Sequence, residues 1–132
     1  MSPLEIARRF VDLVNAHDLD GLVAQLTQDH RFIDSLGTEI RGRDTVREGW
    51  RQYFRMVPDY RVDVVRSFSD GPEVVLLGVA RGTYTAEGEL ETRNTWSTPA
   101  VWRALVRNGL MEEWQIYADN EPIRRCMTRG SA

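Results

Sequence analysis

The stretch Val101-Trp102-Arg103-Ala104-Leu105-Val106-Arg107-Asn108-Gly109-Leu110-Met111-Glu112-Glu113-Trp114-Gln115-Ile116-Tyr117 decides the fold class. Asn108-Gly109 is the pair that a tight hairpin turn prefers, because both central residues of such a turn need positive φ. The runs on either side are rich in branched and aromatic residues, so they read as two long antiparallel strands, Glu91 to Val106 and Leu110 to Tyr117. Working towards the N-terminus, Tyr60 to Ser67 and Glu73 to Thr85 have the same character, and Ser69-Asp70-Gly71-Pro72 and Glu87-Gly88-Glu89 supply the turns. Pro99 lacks an amide hydrogen, which predicts a bulge or bend within the third long run. Unless that bulge switches the parity, period two puts Asn94, Trp96, Thr98 and Trp102 on one face and Arg93, Arg103 and Arg107 on the other.

Upstream of the strands the period changes. Leu4, Ile6, Ala7, Phe10, Val11, Leu13 and Val14 recur at helical spacing behind Ser2-Pro3, a capping residue followed by a first-turn proline. Asp18 caps a second short helix with inner residues Leu19, Leu22, Val23 and Leu26. Gln28 to Asp34 alternates as a short strand, and Gly42 to Val57 returns to helical period through Val46, Trp50, Tyr53, Phe54 and Val57, with Asp44 as its cap and Pro58 as its stop. Helices followed by antiparallel strands define an α+β domain: a curved antiparallel sheet with three N-terminal helices packed on its concave face, forming a cone-shaped pocket.

The length of 132 residues fits one such domain over residues 1–132. Hydrophobic residues make up 42% and charged ones 28%, and net charge is −3 with both signs scattered, so no nucleic-acid-binding face is expected. All 17 basic residues are arginine, which removes lysine Schiff-base, pyridoxal-anchor and phosphate-loop lysine chemistry. One cysteine, Cys126, and two isolated histidines, His17 and His30, give neither a disulfide nor a metal-ligand spacing. The histidines read as a loop or cap residue and a rim residue respectively. No metal, no cofactor and no membrane span are expected, and a cytoplasmic location follows from the absence of an apolar leader.

The segments Ala7 to Leu22, Asp34-Ser35-Leu36-Gly37, Arg41-Gly42-Arg43-Asp44 and Pro58-Asp59-Tyr60-Arg61-Val62 resemble the nuclear transport factor 2-like superfamily, nearest its SnoaL-like polyketide cyclases and ketosteroid isomerases. The resemblance spans nearly the whole chain and implies a cystatin-like α+β barrel. It places the family's carboxylate base on Asp34 and the isomerases' oxyanion-donating tyrosine on Phe10. The isomerases' second donor, an acid, falls on Ser97-Thr98, so this chain keeps the base and departs at both donors. An acid near the end of the last strand serves the cyclases, and Asp119 lies within one residue of that place. Arg81 corresponds to the arginine with which limonene-epoxide-hydrolase-like enzymes activate water, although Thr83 stands where a partner acid belongs.

Asp34 shares a face with Phe32, so its carboxylate is expected inside, where loss of water makes it a stronger base for a carbon acid. The alternative is a turn aspartate accepting backbone N–H groups at Ser35-Leu36-Gly37. Asp119 is the second catalytic candidate. Substrate contact is expected from Phe10, Val14, Phe32, Trp50, Tyr53, Phe54, Trp96, Trp102, Trp114 and Ile116, with Asn94 as a polar wall residue and Arg81 as a cation for an anionic ligand. Together these predict a cofactor-independent proton-transfer enzyme, acting by isomerisation, cyclisation or dehydration on a small apolar or aromatic carbonyl substrate, with Asp34 as base and Tyr53, Asn94 or Asp119 serving the oxygen. A non-catalytic ligand-binding or dimerising module and epoxide-hydrolase-like water activation are the alternatives. Pairing through the outer face of the sheet predicts a homodimer.

Overall fold

The computed structural model describes residues 1–131, with side chains through Thr128. Its elements run α1 (Pro3–Asn15), α2 (Leu19–Ala24), β1 (Leu26–Ile33), β2 (Glu39–Arg41), α3 (Arg43–Met56), β3 (Arg61–Asp70), β4 (Glu73–Thr83), a 3-10 turn (Thr92–Asn94), β5 (Thr95–Arg107), β6 (Leu110–Ala118) and α4 (Glu121–Ser131). The α+β class is as expected.

Local chemistry explains the helix boundaries. The Ser2 hydroxyl accepts from the Glu5 amide at 3.1 Å while the Glu5 carboxylate accepts from the Ser2 amide at 3.2 Å, a reciprocal box that satisfies two free donors of α1. Asp18 accepts from the Gly21 amide at 2.9 Å and starts α2. Asp44, expected to cap α3, lies inside its first turn; Gly42, at φ 98°, is the boundary residue and no side chain caps it. Residues 39–41 form β2, which sequence period did not reveal, and α4 is a fourth helix beyond the three expected.

The six strands form one sheet in the order β2-β1-β6-β5-β4-β3. Its pairs are antiparallel except β1 with β6, which run parallel through Phe32 opposite Trp114. A parallel pair needs a long crossover, and everything between β1 and β6 supplies it. The bulge expected at Pro99 is absent. β5 pairs with β4 in unbroken register, Pro99 opposite Val79, and β6 ends at Ala118 opposite Ala100, so proline costs no ladder bond to β6. Inward parity therefore continues from Trp96 through Thr98, Ala100, Trp102 and Ala104, all buried. The bend lies instead in β3, where Val65 bulges between Val64 and Arg66. Opposite it, a Cβ on Gly78 would stand 1.8 Å from the Asp63 carbonyl oxygen, so only glycine permits this approach.

Helices α1 to α3 cover the inner face. Phe10, Val14, Trp102 and Trp114 are at most 1% exposed and form the floor of the core, with Phe10 and Trp114 ring centroids 4.9 Å apart. Each such burial contributes about 1.5–3 kcal/mol. The outer face carries Val75, Leu77, Val79, Val101 and Leu105, all half-buried, beside a charged group in which Glu113 accepts from Arg31 and Arg103. No helix among the described residues is long and apolar enough to cross a membrane.

Candidate functional site

Between α3, α4 and the inner face of the sheet lies a cavity of about 300 Å³, lined mostly by apolar groups. That is the small end of the range for small-molecule sites. Five aromatic rings line it: Phe32 from β1, Trp50 and Tyr53 from α3, Tyr60 ahead of β3, and Trp96 from β5. Helical spacing puts Val46, Gly49, Trp50 and Tyr53 on the side of α3 that faces it, while strand period delivers Thr98, Ala80 and Ile116 from the sheet. Phe32 and Trp50 meet edge to face at 5.7 Å, as do Tyr53 and Tyr60 at 5.0 Å.

Asp34 lines the cavity, half-buried, just past the end of β1. It borders the cavity and also serves in the turn. Its Oδ1 accepts from the Leu36 and Thr38 amides, each at 2.9 Å, which is the turn role. Its Oδ2 accepts from no described residue and Asp34 joins no ion pair, so one oxygen is held and the other is left over.

Asp119 and Asn120 line the same cavity at the β6–α4 junction. Asp119 is exposed, and its Oδ1 accepts from the Glu121 amide at 2.9 Å, tying down the start of α4. The Asn120 amide donates to the Ser35 hydroxyl, joining the loop of Asp34 to the end of β6. These groups form the mouth. The far end holds Tyr53, Tyr60 and Trp96. Burial raises the pKa of both tyrosine hydroxyls and keeps them protonated.

Of the side chains expected to touch a ligand, Phe32, Trp50, Tyr53, Trp96 and Ile116 line the cavity with Asp34 and Asp119. Phe10, Val14, Trp102 and Trp114 lie instead in the packed floor, because their faces meet one another. Phe54 stacks on His17 at 4.3 Å. Asn94 is buried in the 3-10 turn, where its carbonyl accepts from the Tyr84 amide and the Cys126 thiol. Arg81 points to the outer face, its side chain 55% exposed, and pairs with Asp63 at 3.0 Å. Arg81 and Asp63 thus lie outside the cavity, and the epoxide-hydrolase-like reading loses its arginine.

His17 occupies the α1–α2 loop at φ 53°, its Nε2 bonded to the Tyr60 carbonyl at 2.8 Å. His30 is not at the rim; it is fully buried, with Nδ1 bonded to the Met111 carbonyl at 2.7 Å. The lining residues that sequence reading missed include Tyr60, Thr98, Asn120 and Ile123. No arginine or histidine is among the lining residues, and no group of three or more potential metal ligands occurs among the described residues.

The fold matches solved structures over nearly the full chain. A protein assigned as a SnoaL-like polyketide cyclase from Shewanella denitrificans OS-217 superposes with a TM-score of 0.82 at 16% identity, covering 96% of this chain and 97% of that one. One assigned as a polyketide cyclase from Xanthomonas campestris pv. campestris gives 0.81 at 20% identity, covering 94% and 96%. A nuclear transport factor 2-like protein of unknown function from Burkholderia pseudomallei K96243 gives 0.79 at 21%, covering 97% and 99%. At these identities the likeness is one of fold. No curated protein matches the chain. The family model of the SnoaL-like domain matches residues 7–114, and the chain belongs to that family.

Proposed function

We propose that the protein is a cofactor-independent proton-transfer enzyme acting on a small apolar carbonyl compound, with Asp34 as the base. The observation that carries this is the unequal use of the Asp34 carboxylate: two backbone donors fix Oδ1, and Oδ2 is without a partner in the wall of an aromatic cavity. A base held this way keeps its orientation without help from the ligand. Asp34 would take a proton from a carbon next to the carbonyl system, the C–H electron pair would move onto the carbonyl oxygen, and the proton would return at another carbon. The net change is an isomerisation; aldol closure or loss of water from the same enolate gives a cyclase or dehydratase. We further propose that two copies pair through the apolar outer face of the sheet.

A positioned base contributes on the order of 10²–10⁴-fold. Deuterium uptake by a panel of simple ketones, followed by NMR, should therefore fall at least about a hundredfold in Asp34→Asn. Equal uptake in both forms would remove Asp34 as base. The Phe10 and Ser97-Thr98 positions, which lack the isomerases' donors, favour a second reading as a ligand-binding module. That reading expects ligand affinity without any exchange in the unaltered protein.

A further inference from the structure

Glycine is a poor residue for the middle of a helix, because it gives up the most backbone freedom on folding and only proline is less favourable there. Gly49 nevertheless stands halfway along α3. Among the described residues every other glycine has a visible reason: its φ is positive, or a Cβ placed on it would stand under 3.0 Å from a neighbouring atom. Gly49 has neither. Beyond its own turn of helix and its chain neighbours, a Cβ there would meet one atom, the Cδ1 of Ile40 at 3.3 Å. That methyl is the free end of a side chain and can turn aside.

What the missing side chain leaves is room. Gly49 lines the cavity from α3, and Ile40 lines it from β2. Ile40 lies opposite Phe32 in the β1–β2 pair, and Phe32 comes two residues before Asp34. Bare backbone and a movable methyl therefore face each other at the end of the hollow that Asp34 borders. A methyl on Gly49 would take that space directly or push Ile40 Cδ1 into it. Val46 and Trp50, on the same side of α3, are buried in the core, so the helix cannot draw back to make up the loss.

We propose that Gly49 is a specificity-determining residue. Its absent side chain sets the width of the hollow beside Asp34, admitting there a ring or a branched carbon where alanine would admit only the end of a chain. The inference rests on the cavity being a ligand site and does not need Asp34 to be a base.

Equilibrium binding of toluene, naphthalene and phenanthrene tests this, with three neutral hydrocarbons of rising size that need no polar partner. The unaltered protein should bind at least one member larger than toluene. Toluene can sit at the far end, among Tyr53, Tyr60 and Trp96, and should lose little in Gly49→Ala. The largest member bound should lose about tenfold, as overpacking of a filled site does. Ile40→Val removes the carbon that the new Cβ meets, so Gly49→Ala/Ile40→Val should return most of that loss, a rescue that a general loosening of the fold would not give. The urea midpoint of Gly49→Ala should hold or rise, since alanine is the better helix former. Nothing larger than toluene bound, an unchanged affinity for the largest member, an equal loss for toluene, no rescue, or a destabilised Gly49→Ala would each overturn the proposal and leave the small-molecule reading of the cavity standing. Binding of no hydrocarbon by the unaltered protein would overturn both. The expected affinities without ketone exchange in any form would uphold the role of Gly49 and remove only the base.

Discussion

Asp34 and Thr38 hold each other twice: the Asp34 amide donates to the Thr38 carbonyl at 3.0 Å, and the Thr38 amide donates to Asp34 Oδ1 at 2.9 Å. The loop that positions the carboxylate is thus built by that carboxylate, which couples a structural duty to the proposed chemical one. Two substitutions separate them. Asn keeps a side-chain oxygen for the Leu36 and Thr38 amides, so Asp34→Asn should lose less than about 1 kcal/mol in urea unfolding, whereas Asp34→Ala strands both donors and should lose about 1–2 kcal/mol. Equal losses would mean that the turn does not depend on this side chain.

His30 makes the fold sensitive to acid. Burial lowers its pKa below the usual value, while the bond to the Met111 carbonyl acts in the opposite direction and is outweighed. The unfolded chain then binds the proton more readily than the folded one. Stability is full above the unfolded value near 6.5 and is lost as pH falls from there through the lower folded value, with a slope of at most about 1.4 kcal/mol per pH unit. Unfolding free energies measured between pH 7 and 5 should show a steeper decline in the unaltered protein than in His30→Gln.

Glu113 is 5% exposed and accepts from Arg31 at 3.1 Å and from Arg103, linking β1, β6 and β5 on the outer face. Removing it leaves the partly buried Arg31 without a counter-ion and Arg103 with Glu73 alone. Glu113→Ala should cost about 2–4 kcal/mol, less than a fully buried pair because both arginines retain some water. Thermal unfolding should show the drop, and Glu113→Gln, which keeps the acceptor oxygen, should fall between.

Val101 faces outward between Leu77 and Tyr117. If copies pair there, Val101→Glu should convert a dimer to a monomer in sedimentation velocity at matched concentration while leaving the inner cavity's ligand affinity unchanged. A monomeric unaltered protein would dismiss the pairing outright.

The fold was legible wherever a single face is apolar. α1, α3 and β5 show their buried faces in the period of Phe10 and Val14, Val46 and Trp50, or Trp96 and Trp102. Three residues of β2 are too few to show any period, and its pairing with β1 is a tertiary matter. α4 had a faint signal, Ile123 and Cys126 three apart behind Pro122, on an otherwise polar segment. The facing of Arg81 was hidden because β4 is apolar on both sides, Val74, Leu76 and Ala80 inward and Val75, Leu77 and Val79 outward, so alternation alone could not orient it. Aromatic composition located the wall but could not divide it: Trp96 borders the hollow and Trp102, with the same parity six residues on, fills the floor beneath.

Among the described residues no positive side chain lines the hollow, in a protein with 17 arginines. A free carboxylic acid arriving at the threshold would face two like charges and find nothing inside to neutralise its own. Its ester or amide would meet only rings and hydroxyls. Ionisation state would therefore sort guests before shape is consulted, admitting neutral forms and turning away the anions derived from them.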